Sequence, residues 1–265
     1  MNSWTEAARI LVSLIFLIYS SWHDVRRREV SNKVWLVFAP TGLCLSFLHI
    51  SSNADGSFPI LMAVSIAVTT GLSFLLFYLG LFGGADAKAL ICLSIAIPVP
   101  PAFPRSYLNP ILPIFPLSVL VNAVFVSSTL VFGILVYNFS QFLKAGREFF
   151  KGLEDESSLR KLLLFLTGIK VNTDRIKDDH HLIPLETISE VDGRVVHHLS
   201  LFPHISDEKL QDTGSIRCIS GKVWDGIWVT PSIPFLVFVT IGFFVTMSLG
   251  DVPIWLLFGL LDTVS

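Results

Sequence analysis

The stretch Y-L-G-L-F-G-G-A-D-A-K-A-L, residues 78–90, decides the fold of this chain. It interrupts an apolar run with two glycines and places Asp86 and Lys88 at the start of the next apolar run. Placing a carboxylate in the hydrocarbon of a membrane costs about 2.5 kcal/mol or more at the centre of a helix. An acidic residue next to an apolar run is therefore a candidate for function. Asp24, in W-H-D-V-R-R-R, ends the first apolar run in a similar setting. We therefore predict that Asp24 and Asp86 form one catalytic pair.

The composition is that of a membrane protein. Apolar residues make up 52% of the chain and charged residues only 15%, far from the balance of soluble domains. Several apolar runs reach the roughly 20 residues that a helix needs to cross the hydrocarbon core of a bilayer. The chain is therefore predicted to be an α-helical polytopic membrane protein, with the lipid bilayer as a partner and no nucleic-acid partner.

The apolar runs predict six transmembrane helices, with a small α+β cytoplasmic subdomain between the fifth and the sixth. The predicted domains are residues 1–140 with five helices and the aspartates, residues 141–226 as the subdomain, and residues 227–265 with the sixth helix and a tail. We expect the amphipathic run at residues 142–154 to continue the fifth helix into the cytoplasm. Strands are expected near β-prone residues, namely Val195, Val196, Leu199 and Leu201.

The distribution of basic residues predicts the orientation in the membrane. If the N-terminus lies outside, 17 of the 19 lysines and arginines fall in segments on the cytoplasmic side. Only Arg9 and Arg105 do not. Loops rich in Lys and Arg stay on the cytoplasmic side, and the first loop alone carries Arg26, Arg27 and Arg28. Six crossings then leave both termini outside the plasma membrane and put both aspartates at its cytoplasmic face.

Two neighbouring carboxylates can supply both an acid and a base, because they share one proton and titrate as a pair. Such a pair can activate water and protonate a peptide carbonyl. Asp86 begins a helix, where the helix dipole favours negative charge, while Asp24 is near a helix C-terminus. We therefore predict that Asp86 is the ionised base and Asp24 the protonated partner. The alternative is that both are ordinary residues at helix ends.

The two aspartate motifs resemble those of the G-x-G-D membrane aspartic proteases, in particular the archaeal preflagellin peptidase and type IV prepilin peptidase family. Members of that family follow the first aspartate with x5-I/V-P/S-N and place the second in G-x-G-D-x-K. The corresponding stretches here are D-V-R-R-R-E-V-S-N from Asp24 and G-G-A-D-A-K around Asp86. Gly83, Gly84 and Lys88 match, whereas Ala85 departs from the second defining glycine of the motif.

The resemblance implies an aspartic-type endopeptidase without a cofactor. Its substrates would be preflagellins (archaellins) and type IV pilin-like precursors, from which it removes a short basic leader, the class III signal peptide, at the cytoplasmic face. Bacterial prepilin peptidases usually add a domain with paired C-x-x-C motifs and methylate the new N-terminus. The three cysteines here have no such spacing, which predicts cleavage without N-methylation.

Several residues near the aspartates allow more than one interpretation. Gly83 and Gly84 permit the close approach of a substrate backbone, or they form a simple tight turn. Lys88 could orient an aspartate, bind substrate carbonyls, or extend to the membrane interface. His23 could tune Asp24, or it is an interfacial histidine. No metal is predicted, because no compact ligand spacing joins the histidines at positions 180, 181, 197, 198 and 204.

Two other classes of function compete with a protease. A proton- or ion-coupled transporter could use the same aspartates, but it predicts charges near mid-membrane and an inverted repeat. A membrane scaffold would use the polar block to dock a partner and would not need the aspartates. The aspartates lie at a predicted membrane edge and the sequence shows no repeat, so the protease is the preferred hypothesis.

Overall fold

The computed structural model describes residues 3–52, 56–102, 106–108, 110–150, 153, 156–171, 182–191, 194–199, 227–231 and 234–264. The chain forms two compact units. The helical unit comprises Met1–Ser128 and Pro234–Ser265, and the mixed unit comprises Thr129–Ile233.

Eight α-helices are found among the described residues. They are α1 (Ser3–Arg27), α2 (Asn32–Ser52), α3 (Phe58–Tyr78), α4 (Gly84–Ala96), α5 (Phe115–Ala145), α6 (Ser158–Thr167), α7 (Phe235–Ser248) and α8 (Val252–Val264). The first part of α5 belongs to the helical unit, and the remainder belongs to the mixed unit. Helix α6 also lies in the mixed unit. The other helices all lie in the helical unit.

Four of the described helices, α1, α2, α3 and α5, are long and apolar enough to cross a membrane. A fifth crossing results if α7 and α8, which meet at a bend of 60°, form one span. With 13 residues, α4 falls short of the roughly 20 residues that a crossing needs. The helical multi-pass class is therefore confirmed, with four or five candidate crossings where the sequence predicts six.

The short helix α4 lies at the centre of the helical unit. Its residues Leu90, Leu93 and Ala96 are buried in one apolar core with Phe38 and Phe243, and α3 and α2 are its main neighbours. At Gly42 of α2 an added Cβ would lie 2.9 Å from the Cβ of Ala96, so the two helices touch nearly backbone to backbone. Neighbouring helices thus enclose α4, and the position of its first turn is set by packing.

Helix α1 ends at Arg27 and is capped by Arg28, which adopts the left-handed αL conformation. This residue has φ 54°, and its N–H donates to the carbonyl oxygen of Asp24 at 3.0 Å. Glycine usually occupies such a position, because an L side chain in the left-handed region costs about 1–2 kcal/mol. The cap stops α1 and lets α2 begin at Asn32 after a short loop.

The bend between α7 and α8 is held by a buried aspartate. Asp251 accepts hydrogen bonds through Oδ2 from the backbone N–H groups of Ile111 and Leu112, at 2.6 and 2.8 Å. Asn122 of α5 donates to the carbonyl oxygen of Gly250 at 2.9 Å, and Gly250 has φ 93°. These bonds tie the proline-rich loop before α5 to the bend.

The mixed unit combines α6 with short antiparallel strands. The described strands are β1 (Ile169–Val171), β2 (Leu182–Pro184), β3 (Glu186–Val191), β4 (Arg194–Leu199) and β5 (Ile227–Pro231). β5 lies between β1 and β2, and β3 pairs with β4 as a hairpin. A core of Phe149, Leu153, Leu164, Leu185 and Trp228 closes the unit. Three of the four β-prone residues fall in β4, and Leu201 lies outside the described residues.

The prediction that residues 142–154 continue the fifth helix is correct only as far as Ala145. α5 ends at Ala145, and a 3₁₀-helix follows at Gly146–Phe150. Gly146 has φ 57°, a left-handed conformation that glycine adopts at low cost and that ends a right-handed helix.

Candidate active site

Asp24 and Asp86 line one open pocket of about 430 Å³ in the helical unit. Asp24 comes from the last turn of α1 and Asp86 from the first turn of α4, while the loop between α1 and α2 forms a further wall. The lining residues are Asp24, Arg28, Glu29, Val30, Ser31, Asn32, Gly83, Gly84, Ala85, Asp86 and Lys88. The fold thus brings together two acidic residues that are far apart in the sequence.

Asp86 is buried and held in a defined orientation. Its side chain is 8% exposed, and Oδ2 accepts the backbone N–H of Gly83 at 3.1 Å. Oδ1 is buried without a hydrogen-bond partner among the described residues. Burial raises the pKa of Asp86 to about 6; the Gly83 N–H opposes this rise, and the nearby negative charge of Asp24 adds to it. A carboxyl with such a pKa can change its protonation near neutral pH.

Asp24 faces the first turn of α7, an interaction that the residues around Asp24 in the sequence do not indicate. The backbone N–H of Leu236, in the first turn of α7, interacts with its carboxylate, and Arg28 acts on it electrostatically. The first N–H groups of a helix have no partner within the helix and favour negative charge. Asp24 is therefore in the last turn of one helix and also faces the N-terminus of another.

The two glycines before Asp86 have different surroundings. A Cβ added to Gly83 would lie 3.0 Å from Oδ2 of Asp86, whereas one added to Gly84 would meet only Cε2 of Phe77, at 3.8 Å. Gly83 has φ −72° and ψ 155°, an extended backbone open to any residue. Space for the Asp86 carboxylate is thus what favours glycine at 83. Ala85, which replaces the family's second glycine, is partly buried against the helical core.

Lys88 is bonded across the pocket to a residue that the sequence analysis did not single out. Its Nζ donates to Oδ1 of Asn32 at 2.7 Å and so joins the first turn of α4 to the start of α2. This geometry favours a role for Lys88 inside the pocket, either orienting an aspartate or binding substrate carbonyls, over extension to the membrane interface. The available signal was the position of Asn32 at the end of the D-x5-V-S-N stretch.

His23 is not among the residues that line the pocket. Its ring packs against the ring of Tyr19, with centroids 4.5 Å apart. Of the histidines considered for a metal, those at positions 180, 181 and 204 lie outside the described residues, as do the side chains of those at positions 197 and 198.

Two family models match this chain. The model of the type IV leader peptidase family matches residues 11–138, which include both aspartates, and the model of the archaeal peptidase A24 C-terminus, type II, matches residues 160–252. Together they cover most of the chain, whose first half is similar to the type IV leader peptidase family and whose second half is similar to the archaeal C-terminal domain of such peptidases.

The curated relatives include preflagellin peptidases of archaea. The preflagellin peptidase of Methanococcus voltae is 27% identical over 246 residues, which cover 91% of this chain and 94% of the relative. That of Methanocaldococcus jannaschii is 29% identical over 248 residues, with coverage of 91% and 93%. These similarities indicate a membrane protease and do not favour the transporter.

Proposed function

We propose that this protein is an aspartic endopeptidase that removes the basic leader from preflagellins and type IV pilin-like precursors. The observation that carries the proposal is the pocket shared by Asp24 and Asp86 at the adjoining ends of α1 and α4. The preflagellin peptidase relatives support the substrate class.

In the proposed mechanism the two carboxylates share one proton, and in the arrangement that reacts Asp86 is the base and Asp24 carries the proton as the acid. Ionised Asp86 takes a proton from a water molecule as the water oxygen attacks the scissile carbonyl carbon, and Asp24 gives its proton to the carbonyl oxygen. As the tetrahedral intermediate collapses and its C–N bond breaks, Asp86 passes the proton that it took from water to the leaving nitrogen. Asp24 recovers a proton from a hydroxyl group of the intermediate as the new carboxyl group forms. Oδ1 of Asp86 is the oxygen available to take the water proton, since Oδ2 already accepts the Gly83 N–H.

The pocket charges suit a leader with basic residues next to a hydrophobic segment. Glu29 adds a third carboxylate to the pocket lining, beside the cations of Arg28 and Lys88. We place the pocket at the cytoplasmic face of the plasma membrane. The cleaved subunit would leave with an unmethylated N-terminus.

The test is cleavage of a defined precursor by purified protein in detergent or liposomes. Mass spectrometry of the products should show the leader and a mature chain that begins next to the hydrophobic segment, without the mass of an added methyl group. A precursor that stays intact over the range of detergents and lipids in which the protein is folded would contradict the proposal.

Gly83→Ala is expected to lower cleavage by about 10-fold or more, because the new methyl group crowds the Asp86 carboxylate. Gly84→Ala is the matched control, since a methyl group there meets only ordinary van der Waals contact. The measurement is kcat/KM for both variants. Equal effects of the two substitutions would show that the contact at Gly83 does not matter.

Asn32→Ala is expected to lower kcat/KM about 10-fold, because it frees the Lys88 ammonium from its position in the pocket. Asn32→Asp keeps an oxygen acceptor for Lys88 and should retain most of the activity. Lys33→Ala changes the next residue, which is exposed and outside the pocket lining, and serves as the control. An Asn32→Ala variant with the activity of Lys33→Ala would remove the Lys88 anchor from the mechanism.

A further inference from the structure

A buried pair of hydroxyl groups joins α1 to α7 one turn before Asp24. Ser21 Oγ lies 2.7 Å from Thr240 Oγ1 and donates to the carbonyl oxygen of Leu236 at 2.9 Å. Thr240 Oγ1 is 3.0 Å from the same carbonyl oxygen and 3.3 Å from that of Leu17. Both side chains are 8% exposed. We call this set of contacts the Ser21–Thr240 bridge.

The Ser21–Thr240 bridge lies on the face of α1 that carries Asp24 and on the face of α7 that carries Leu236. Asp24 follows Ser21 by three residues and Leu236 precedes Thr240 by four, so each pair shares one face of its helix. The Leu236 carbonyl takes part in the bridge, and the Leu236 N–H interacts with the Asp24 carboxylate. A slide or rotation of α1 against α7 would therefore break the bridge and displace Asp24 together.

The first turn of α7 also contacts the support of the second aspartate. The ring of Phe235 packs against that of Phe82, with centroids 5.1 Å apart. Phe82 directly precedes Gly83, whose N–H holds Oδ2 of Asp86. One helix start thus touches the structures that carry both carboxylates.

Apolar contacts alone do not explain the two hydroxyl groups. Between helices in a membrane, packing of apolar side chains is enough for close association, while interhelical hydrogen bonds add direction at a modest energetic gain. The bridge fixes one register between α1 and α7 at the level of Asp24.

We propose that Ser21 and Thr240 are positioning residues, which hold Asp24 in register with the first turn of α7 and so with Asp86. Their effect on catalysis rests on the proposed function, whereas their coupling to Asp24 does not. Misplacement of a catalytic group by about 1 Å can cost about 100-fold in rate, which sets the size of the effect.

The kinetic test compares two buried threonines of α7. Thr240→Val and Ser21→Ala should each lower kcat by about 10- to 100-fold while KM stays within about twofold. Thr240→Ser keeps the hydroxyl group and should restore most of kcat. The control is Thr246→Val, which is expected to stay within about threefold of wild type. Thr246 is 5% exposed and bonds to Gly242 and Asn122, away from Asp24.

A thermal unfolding cycle tests the coupling without any activity. The Tm change of the Asp24→Asn, Thr240→Val double variant should differ from the sum of the single changes by about 2 °C or more. The changes should add for Asp24→Asn combined with Thr246→Val.

Additive behaviour in both cycles, or equal loss of kcat from Thr240→Val and Thr246→Val, would overturn the positioning role. A wild-type protein that cleaves no precursor would overturn the proposed function instead, and the unfolding cycle would still decide the coupling.

Discussion

Replacing Asp86 by asparagine is expected to leave less than about one-thousandth of the wild-type cleavage rate. Asparagine has nearly the same shape and can still accept the Gly83 N–H through its side-chain oxygen. It cannot ionise, so the attacking water loses its base. Asp24→Asn should have an effect of similar size, because it removes the acid.

The measurement is single-turnover cleavage of a purified precursor, with Tm as the check on folding. Asp251→Asn is a demanding control, since Asp251 is also buried and also accepts backbone N–H groups. It should lower Tm while cleavage stays within about tenfold of wild type. An Asp86→Asn or Asp24→Asn variant that keeps a tenth of the wild-type rate would remove that aspartate from the chemistry.

Alkaline pH is expected to switch off cleavage, with the rate falling about tenfold for each pH unit above about 6. The cause is the raised pKa of Asp86, about 6, which burial produces first and the negative charge of Asp24 increases. Because Asp24 is ionised when Asp86 titrates, this pKa describes the loss of the last proton of the pair, after which no acid remains. Values of kcat/KM between pH 4.5 and 8 test this, and a rate that stays constant up to pH 8 would contradict it.

The same pKa predicts how folding stability depends on pH. The folded protein binds the Asp86 proton more tightly than the unfolded chain, whose carboxyl has a pKa near 3.8. The free energy of unfolding therefore loses about 3 kcal/mol from this group as the pH rises from about 4 to 6. Asp86→Asn lacks this loss, so its Tm should change less than that of wild type across this window. Curves of Tm against pH that run parallel for wild type and Asp86→Asn would contradict the raised pKa of Asp86.

The main features of the pocket could be predicted from the sequence because each depends on local chemistry. Asp24 and Asp86 stand out as carboxylates at the ends of apolar runs, and Gly83 and Lys88 stand beside Asp86 in a short motif. The multi-pass helical class follows from composition. These signals need no knowledge of which helices touch.

Other parts of the site depend on long-range packing, which the sequence pattern does not encode in a readable way. Leu236 and Thr240 lie more than 200 residues after Asp24, inside a run that looks uniformly apolar. Nothing in that run indicates that its first turn faces the aspartate. The Lys88–Asn32 bond likewise depends on how α2 and α4 pack.

Local exceptions were also missed. An arginine gives no sign that it will adopt φ 54°, yet Arg28 does so. At residues 142–154 the amphipathic pattern was real, but the glycine at 146 had more influence on the backbone than the pattern did.

The left-handed residue at the end of α1 makes loop length a determinant of the site's geometry. Four residues, 28–31, separate the last residue of α1 from Asn32. Asp24 and the partner of Lys88 are thereby held at a fixed spacing on two helices that pack against each other. One residue inserted into the last turn of α1, after Asp24, would rotate the loop and the start of α2 by about 100° relative to Asp24. The acid and the anchor for the cation would then no longer face the same cavity, although every residue of the motifs would still be present.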